Sequence, residues 1–409
     1  MKILLFSQYY WPDITAAAFR IRETAELFAQ SGNEVTVITT LPHRGFAEGK
    51  TASDYSDDGK VRVIRAPIYP IENRSKFNFI AHYLSFMLRA IYHGIFSTGK
   101  FDIIIASSPP LFVAIAGYLT ALVKGCPFAL DIRDLWPDSA VTVGQISKNG
   151  YLYKIARLIE KFLYKSADII FCVAKPMAEV ISQSARKSKI SIIYNAMLES
   201  MIPEASSNAF VRDSILHEDG VKSLNVVYAG NYGYCQNLEL LVTADKVLHD
   251  RNNSRFRFHL FGDGAEGKML REKAALSKTG NFFIHDPLEK KRVIEVMQNA
   301  DFLFLQLKPD ETMSKTIPSK VFDYLAVGKP IIFGIEGEGK TILEMSGGNI
   351  FFEPGNLDSL LEALNRAAAD KEHIMKNAAI NREIVKKEFT REKMAEKMLN
   401  KIRELLKKM

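Results

Sequence analysis

Short runs of β-branched and aromatic residues, each followed by a stretch of helical spacing, recur along this 409-residue chain. In the first half they are KILLFS, EVTVITT, VRVIRA, FDIIIAS, FALDIR, DIIFCVA and ISIIY; in the second, LNVVYAG, FRFHLFG, NFFIH, DFLFLQL and KPIIFG. The runs are continuous rather than alternating in polarity, so these strands are buried on both faces. Buried strands that alternate with helices predict an α/β fold with doubly wound parallel sheets. The pattern runs through once and restarts near residue 224, and the chain is too long for one core. Two domains are therefore expected, 1–200 and 201–384, with the aperiodic, Ser/Asn-rich stretch 195–214 as the linker. From about Asp370 the tail reads as one long helical pattern, interrupted near EFTREK.

Charge narrows the function classes. Residues 1–200 carry 23 Lys and Arg against 17 Asp and Glu, 201–370 carry 19 against 24, and 371–409 carry 12 against 6. An acidic middle between basic ends argues against nucleic acid, which needs a continuous basic stripe. It permits a basic first half facing an anionic surface. Cys126, Cys172 and Cys235 have neither disulfide nor zinc spacing, as expected in a reducing cytosol. MKILLFSQYYWPD reads as a first strand rather than a signal peptide. The segment 77–96 carries His82, Arg89 and His93, and 111–123 is too short to span a bilayer, so a cytoplasmic protein that touches the membrane is expected.

Each half opens with a strand running into a small-residue loop and then a helix, which aims backbone N–H groups at the sheet's carboxyl edge. The first loop contains Trp11, Asp13 and Thr15, near which the helix starts; the second is Gly230-Asn231-Tyr232-Gly233. There is no phosphate-binding GxxxxGK[ST], no nucleophile elbow and no HExxH. FGDGAEG, with Gly262 and Gly264, lacks the acidic residue that a nicotinamide site requires. No Asp-x-Asp occurs, so no metal or cofactor site is expected, and any diphosphate is held by amides, helix ends, Lys and Arg.

Two stretches concentrate charge. IPSKVFDYLAVGKPII puts Pro318 at the first helical position, Lys320 in the first turn and Asp323 one turn on. A cation there opposes the helix dipole unless an anion is bound. The pair suits a nucleoside diphosphate, with the lysine on phosphate and the carboxylate on sugar hydroxyls; on spacing alone the simpler reading is a plain surface ion pair on a packed helix. In FALDIRDLWPDSAV a buried strand ends in Asp131, Arg133, Asp134 and Trp136, a costly set to bury away from a site. Arg133 held between Asp131 and Asp134 to pin a loop is the alternative.

With SQYYWPDITAAAFRI, VVYAGNYGYCQNLELLV, LFGDGAEG and NADFLFLQLKP, these stretches resemble the GT-B glycosyltransferases of family GT4 over essentially the whole chain. Within that family they are similar to bacterial O-antigen and capsule enzymes that transfer fucosamine or related amino sugars. The resemblance implies two facing Rossmann-like domains across a cleft, with donor on the second, acceptor on the first, and a tail helix (385–409) returning to the first. It puts Gly230, Asn231, Gly233, Ser319 and Lys320 at the donor phosphates. Asp323, Lys315, Gly262 and Gly264 fall to ribose and sugar, Trp11, Asp13, Thr15 and Trp136 to the acceptor, and Asp134, Arg133 and Asp131 to catalysis. The implied partners are UDP- or GDP-sugar, a polyprenyl-diphosphate-linked saccharide and the inner membrane surface, with retained anomeric configuration.

The chain departs from the family pattern in several places. Asn231 and Gln236-Asn237 replace the Arg and Lys that meet the leaving diphosphate, Lys315 replaces the first of two carboxylates eight apart, and Arg133 stands where a His is usual. TAAA replaces the first-loop glycines. These departures keep open a non-catalytic nucleotide-sugar-binding subunit. A sugar-nucleotide 2-epimerase of the same architecture needs paired His and Glu, whereas His43, His82 and His93 lie scattered in the first half.

Overall fold

The computed structural model describes residues 1–13, 15–43, 59–70, 76–204, 216 and 223–409. They form two compact units, Met1–Tyr194 with Arg391–Met409, and Asn195–Thr390. In the first, β1 (Lys2–Phe6), β2 (Glu34–Thr40), β3 (Val61–Ala66), β4 (Ile103–Ser108), β5 (Phe128–Ile132), β6 (Ile169–Cys172) and β7 (Ile190–Ile192) make a sheet ordered β3-β2-β1-β4-β5-β6-β7. Every pairing in it is parallel. Every residue of β4, β5 and β6 is buried, which is why those strands read as unbroken apolar runs.

The second unit repeats the plan with β8 (Leu224–Ala229), β9 (Phe256–Phe261), β10 (Phe282–His285), β11 (Phe302–Gln306), β12 (Ile331–Gly334) and β13 (Ile350–Phe351), ordered β10-β9-β8-β11-β12-β13 and parallel throughout. Thus both sheets are doubly wound parallel sheets. Connections leave β1 and β8 in opposite directions, so the β1/β4 and β8/β11 boundaries are the switch points beside which ligands bind. One strand escaped the sequence reading: β13 is two residues long, too short to show a period.

Helix Ala16–Gln30 starts where Thr15 accepts a hydrogen bond from the Ala18 N–H (3.1 Å). It packs against helix Arg391–Leu406, and a buried Arg391–Glu23 ion pair at 3.1 Å fixes that contact. Helices Lys76–Phe96, Leu111–Lys124 and Tyr151–Ser166 pack side by side, the middle one touching both others. Right-handed crossovers put them on the face of the first sheet opposite helix Ala16–Gln30. The expected long tail helix is three, Lys371–Ala378, Ile380–Glu388 and Arg391–Leu406, with the last break at EFTREK. Of the supposed linker, residues 195–204 belong to the second unit; 205–214 lie outside the described residues.

Candidate active site

In the second unit the chemistry gathers at the carboxyl edge. The turn after β8 and the loop after β9 are knitted by backbone bonds, Gly230 N–H to Phe261 carbonyl and Tyr232 N–H to Asp263 carbonyl, each 2.8 Å. Contact this close excludes side chains. A Cβ on Gly262 would fall 2.0 Å from the Gly230 carbonyl oxygen, and one on Gly230 would fall 2.1 Å from Lys320 Cε. Gly264 and Gly233 lie in the same two loops.

Lys320 is the first residue of helix Lys320–Val327, so Pro318 precedes the Ser319 N-cap rather than opening the helix. The Lys320 chain runs over Gly230, and its ammonium donates to the Tyr228 hydroxyl at 2.8 Å, lying 4.8 Å from that ring's centroid. The Tyr228 hydroxyl in turn donates to the Asn231 carbonyl at 2.7 Å. Burial pushes the Lys320 pKa down to about 8, against the opposing charge of Asp323. Lys320 is therefore a partly dehydrated cation laid against the turn that the sequence marks as an anion site. Lys315 pairs with Glu311 at 2.6 Å, so a carboxylate does stand beside it, supplied from four residues upstream.

Two residues of this edge escaped the sequence reading. Buried Tyr324 accepts a hydrogen bond from the Ala229 N–H (2.8 Å) and donates one to the Ala229 carbonyl (3.1 Å), clamping the end of β8 to the Lys320 helix. Lys308, just past β11, lies 3.0 Å from the ring centroid of Tyr234, next to the glycine turn. Only the position of Tyr324 in the Lys320 helix and of Lys308 after a buried strand could have flagged them.

In the first unit, Asp131 at the end of β5 is buried between two guanidiniums, Arg20 at 2.7 Å and Arg133 at 2.9 Å. Burial pushes its carboxyl up, but Arg133 and Arg20 outweigh that and hold it below the usual carboxylate range. Arg20, from helix Ala16–Gln30, was not singled out from the sequence. Asp134 is half-buried, and among the described residues its carboxylate has no hydrogen-bond partner. Burial raises its pKa against the charges of Arg20 and Arg133. Thus Arg133 pins Asp131, and Asp134 is the available carboxylate.

Around it, Trp136 is half-buried, and Asp138 accepts from Arg157 and from the Tyr153 hydroxyl (2.7 Å) of helix Tyr151–Ser166. Trp11 lies under the Arg22 guanidinium, 4.6 Å from its centroid, and Asp13 accepts from the His43 N–H at 2.8 Å. The histidines are less scattered than their numbering suggests. The His43 and His82 rings are 5.7 Å apart, and His82 Nε2 lies 3.0 Å from Gln8 Nε2 in the loop just past β1.

The comparisons with known proteins meet this geometry. The "Glycosyl transferase 4-like domain" family matches residues 15–196, and "Glycosyl transferases group 1" matches 217–407. The chain belongs to the GT4-like glycosyltransferases. This glycosyltransferase is 24% identical to the Escherichia coli K12 protein described as "Putative colanic acid biosynthesis glycosyl transferase WcaI", over 98% of this chain and 100% of that one. Among solved structures it is similar in fold to sucrose-phosphate synthase from Thermosynechococcus elongatus, with TM-score 0.77, 16% identity and both chains fully covered. It is also similar to Anabaena Alr3699/HepE in complex with UDP-glucose, with TM-score 0.72, 14% identity and full coverage of both.

Proposed function

We propose that this glycosyltransferase moves a sugar from a UDP- or GDP-sugar to a hydroxyl of a polyprenyl-diphosphate-linked saccharide, with retained anomeric configuration, in the assembly of a cell-surface polysaccharide at the cytoplasmic face of the membrane. The observation that carries the reading is the Lys320 ammonium laid over the Gly230 turn. Support for the donor class comes from the UDP-glucose bound by a protein of similar fold, and for the pathway class from the colanic acid relative.

As the bond from the anomeric carbon to the diphosphate oxygen lengthens, its electron pair goes to the leaving phosphate. Lys320 and the amides of the Gly230–Gly233 turn stabilise that charge, with Asp323, Gly262 and Gly264 facing ribose and sugar. One preorganised donor of this kind is worth roughly 3–4 kcal/mol of barrier. The acceptor hydroxyl attacks the same face and passes its proton to the leaving phosphate oxygen. Asp134 is the candidate carboxylate for the cationic sugar, and Trp11, Asp13 and Trp136 are the acceptor-side candidates. Thr15 acts through its cap, which sets where the helix carrying Arg20 begins.

The test is calorimetric titration of the purified chain with UDP and with GDP, followed by slow nucleotide release from a panel of nucleotide sugars in EDTA. One nucleotide binds, Lys320→Met weakens it, and release continues without divalent ions. Binding of neither nucleotide, equal binding by Lys320→Met, or release only with added Mg²⁺ overturns the reading.

A further inference from the structure

Among the described residues no helix is long and apolar enough to cross a membrane. Yet the three helices side by side on one face of the first sheet leave large apolar residues in water. On helix Tyr151–Ser166 these are Tyr151 (84% exposed), Ile155, Leu158 (69%) and Phe162. They recur at i, i+4, i+7 and i+11 and so form a stripe along the helix. Helix Leu111–Lys124 adds Leu119, Leu122 and Val123, and helix Lys76–Phe96 adds Leu84, Leu88, Tyr92 and Phe96 (73%) at every fourth position. Aromatic contacts tie the three together: Tyr83 stacks on Phe112 at 5.8 Å, and Tyr118 meets Phe162 edge-on at 5.2 Å. A contiguous apolar face of this extent marks an interaction surface.

Charge identifies the occupant. The three helices contain seven Lys and Arg residues and one acidic residue, Glu160. Glu160 is buried against Arg157 and the Tyr164 hydroxyl, so it puts no negative charge on the surface. Lys154, Lys161 and Lys165 are all exposed and line one side of the Tyr151–Phe162 stripe. Apolar and aromatic residues flanked by lysines alone fit the interface of an anionic bilayer. A protein partner or a second copy gives no reason to exclude acidic residues so completely.

We infer that the face formed by helices Lys76–Phe96, Leu111–Lys124 and Tyr151–Ser166 seats the protein on anionic lipid, its apolar stripe in the headgroup layer and its lysines on lipid phosphates. This deepens the reading of a lipid-linked acceptor and rests on it. Helix Tyr151–Ser166 also holds Asp138 of the Trp136 loop through Arg157 and Tyr153, so the surface that meets lipid is rigidly joined to the acceptor-side candidates.

The test is sedimentation of the full chain with vesicles of phosphatidylcholine, alone or mixed with phosphatidylglycerol. The wild type pellets with the mixed vesicles. Lys154→Gln/Lys161→Gln/Lys165→Gln weakens that binding about a hundredfold and removes the preference for phosphatidylglycerol. Ile155→Gln/Leu158→Gln weakens binding to both compositions by at least about tenfold. Circular dichroism melts and UDP titration of every variant match the wild type. Wild type left in the supernatant with mixed vesicles, or both variants binding like it, overturns the inference. So does a wild-type dimer that these substitutions split, which assigns the face to a second copy. A wild type that binds vesicles but no nucleotide overturns the donor reading and leaves the lipid face standing.

Discussion

Half-buried Lys320 and buried Asp131 are both charges drawn out of water, and their opposite surroundings predict opposite consequences. Lys320 has one neutral hydrogen-bond partner, Tyr228, and a pKa brought down to about 8. Removing its charge costs the donor diphosphate a charged hydrogen bond, so Lys320→Met weakens UDP binding about ten- to a hundredfold by calorimetry. In the free protein the ammonium is present below about 8 and lost above it, so UDP affinity falls from about pH 7 to about pH 9, and Lys320→Met flattens that profile. Stability of the free protein moves the other way. An unfolded lysine keeps its proton to about 10.4, so between about 8 and about 10.4 the unfolded chain binds more protons and the native state gains stability as pH rises.

Asp131, by contrast, neutralises Arg20 and Arg133. Asp131→Asn leaves two guanidiniums uncompensated and lowers unfolding free energy by about 3–5 kcal/mol, read by denaturant titration. Asp134→Asn leaves stability nearly unchanged and lowers kcat with the true acceptor about a hundredfold, the usual lower bound for losing one preorganised group that stabilises transition-state charge. A variant pair with these effects exchanged would reverse the assignment of the two carboxylates.

At the scale of elements, the second unit's site exists because two loops and a helix start touch without side chains between them. Gly262→Ala drives a methyl into the Gly230 carbonyl and parts the loops after β8 and β9. The expected cost is about 1–3 kcal/mol of stability, with a loss of UDP affinity that the stability loss alone does not explain. Melting curves with and without UDP separate the two effects. Tyr324 serves the same junction from the helix side, holding both backbone groups of Ala229. The glycines and Lys320 were legible because anion loops and helix starts have short local signatures. Tyr324 was not, since in a helical pattern a buried tyrosine looks like any other core residue.

For the whole molecule, the decisive feature is that the chain returns to its first unit at Arg391, 368 residues after Glu23. The helix beginning there buries Met394, Met398, Leu399 and Ile402. Truncation after Thr390 therefore lowers the melting temperature of the first unit and exposes helix Ala16–Gln30 to limited proteolysis, though none of its own residues is touched. Arg391→Met costs less than the truncation, because it leaves the apolar contacts in place. Equal melting of the intact and truncated chains would show the tail to be dispensable.

Periodicity and composition act over a few residues, and they already determined the parallel sheets, the restart near residue 224, the glycine turns and the break at EFTREK. They also showed which strand ends carry charge. Packing decided what those charges do. The sequence shows Asp131 beside Arg133, but only the folded chain brings Arg20 from 111 residues away to share it. Packing likewise joined His43 to His82 and turned ordinary-looking helices into one exposed apolar face. Such outcomes depend on which surfaces meet and which stay in water, a property of the assembled layers that no local window of residues contains.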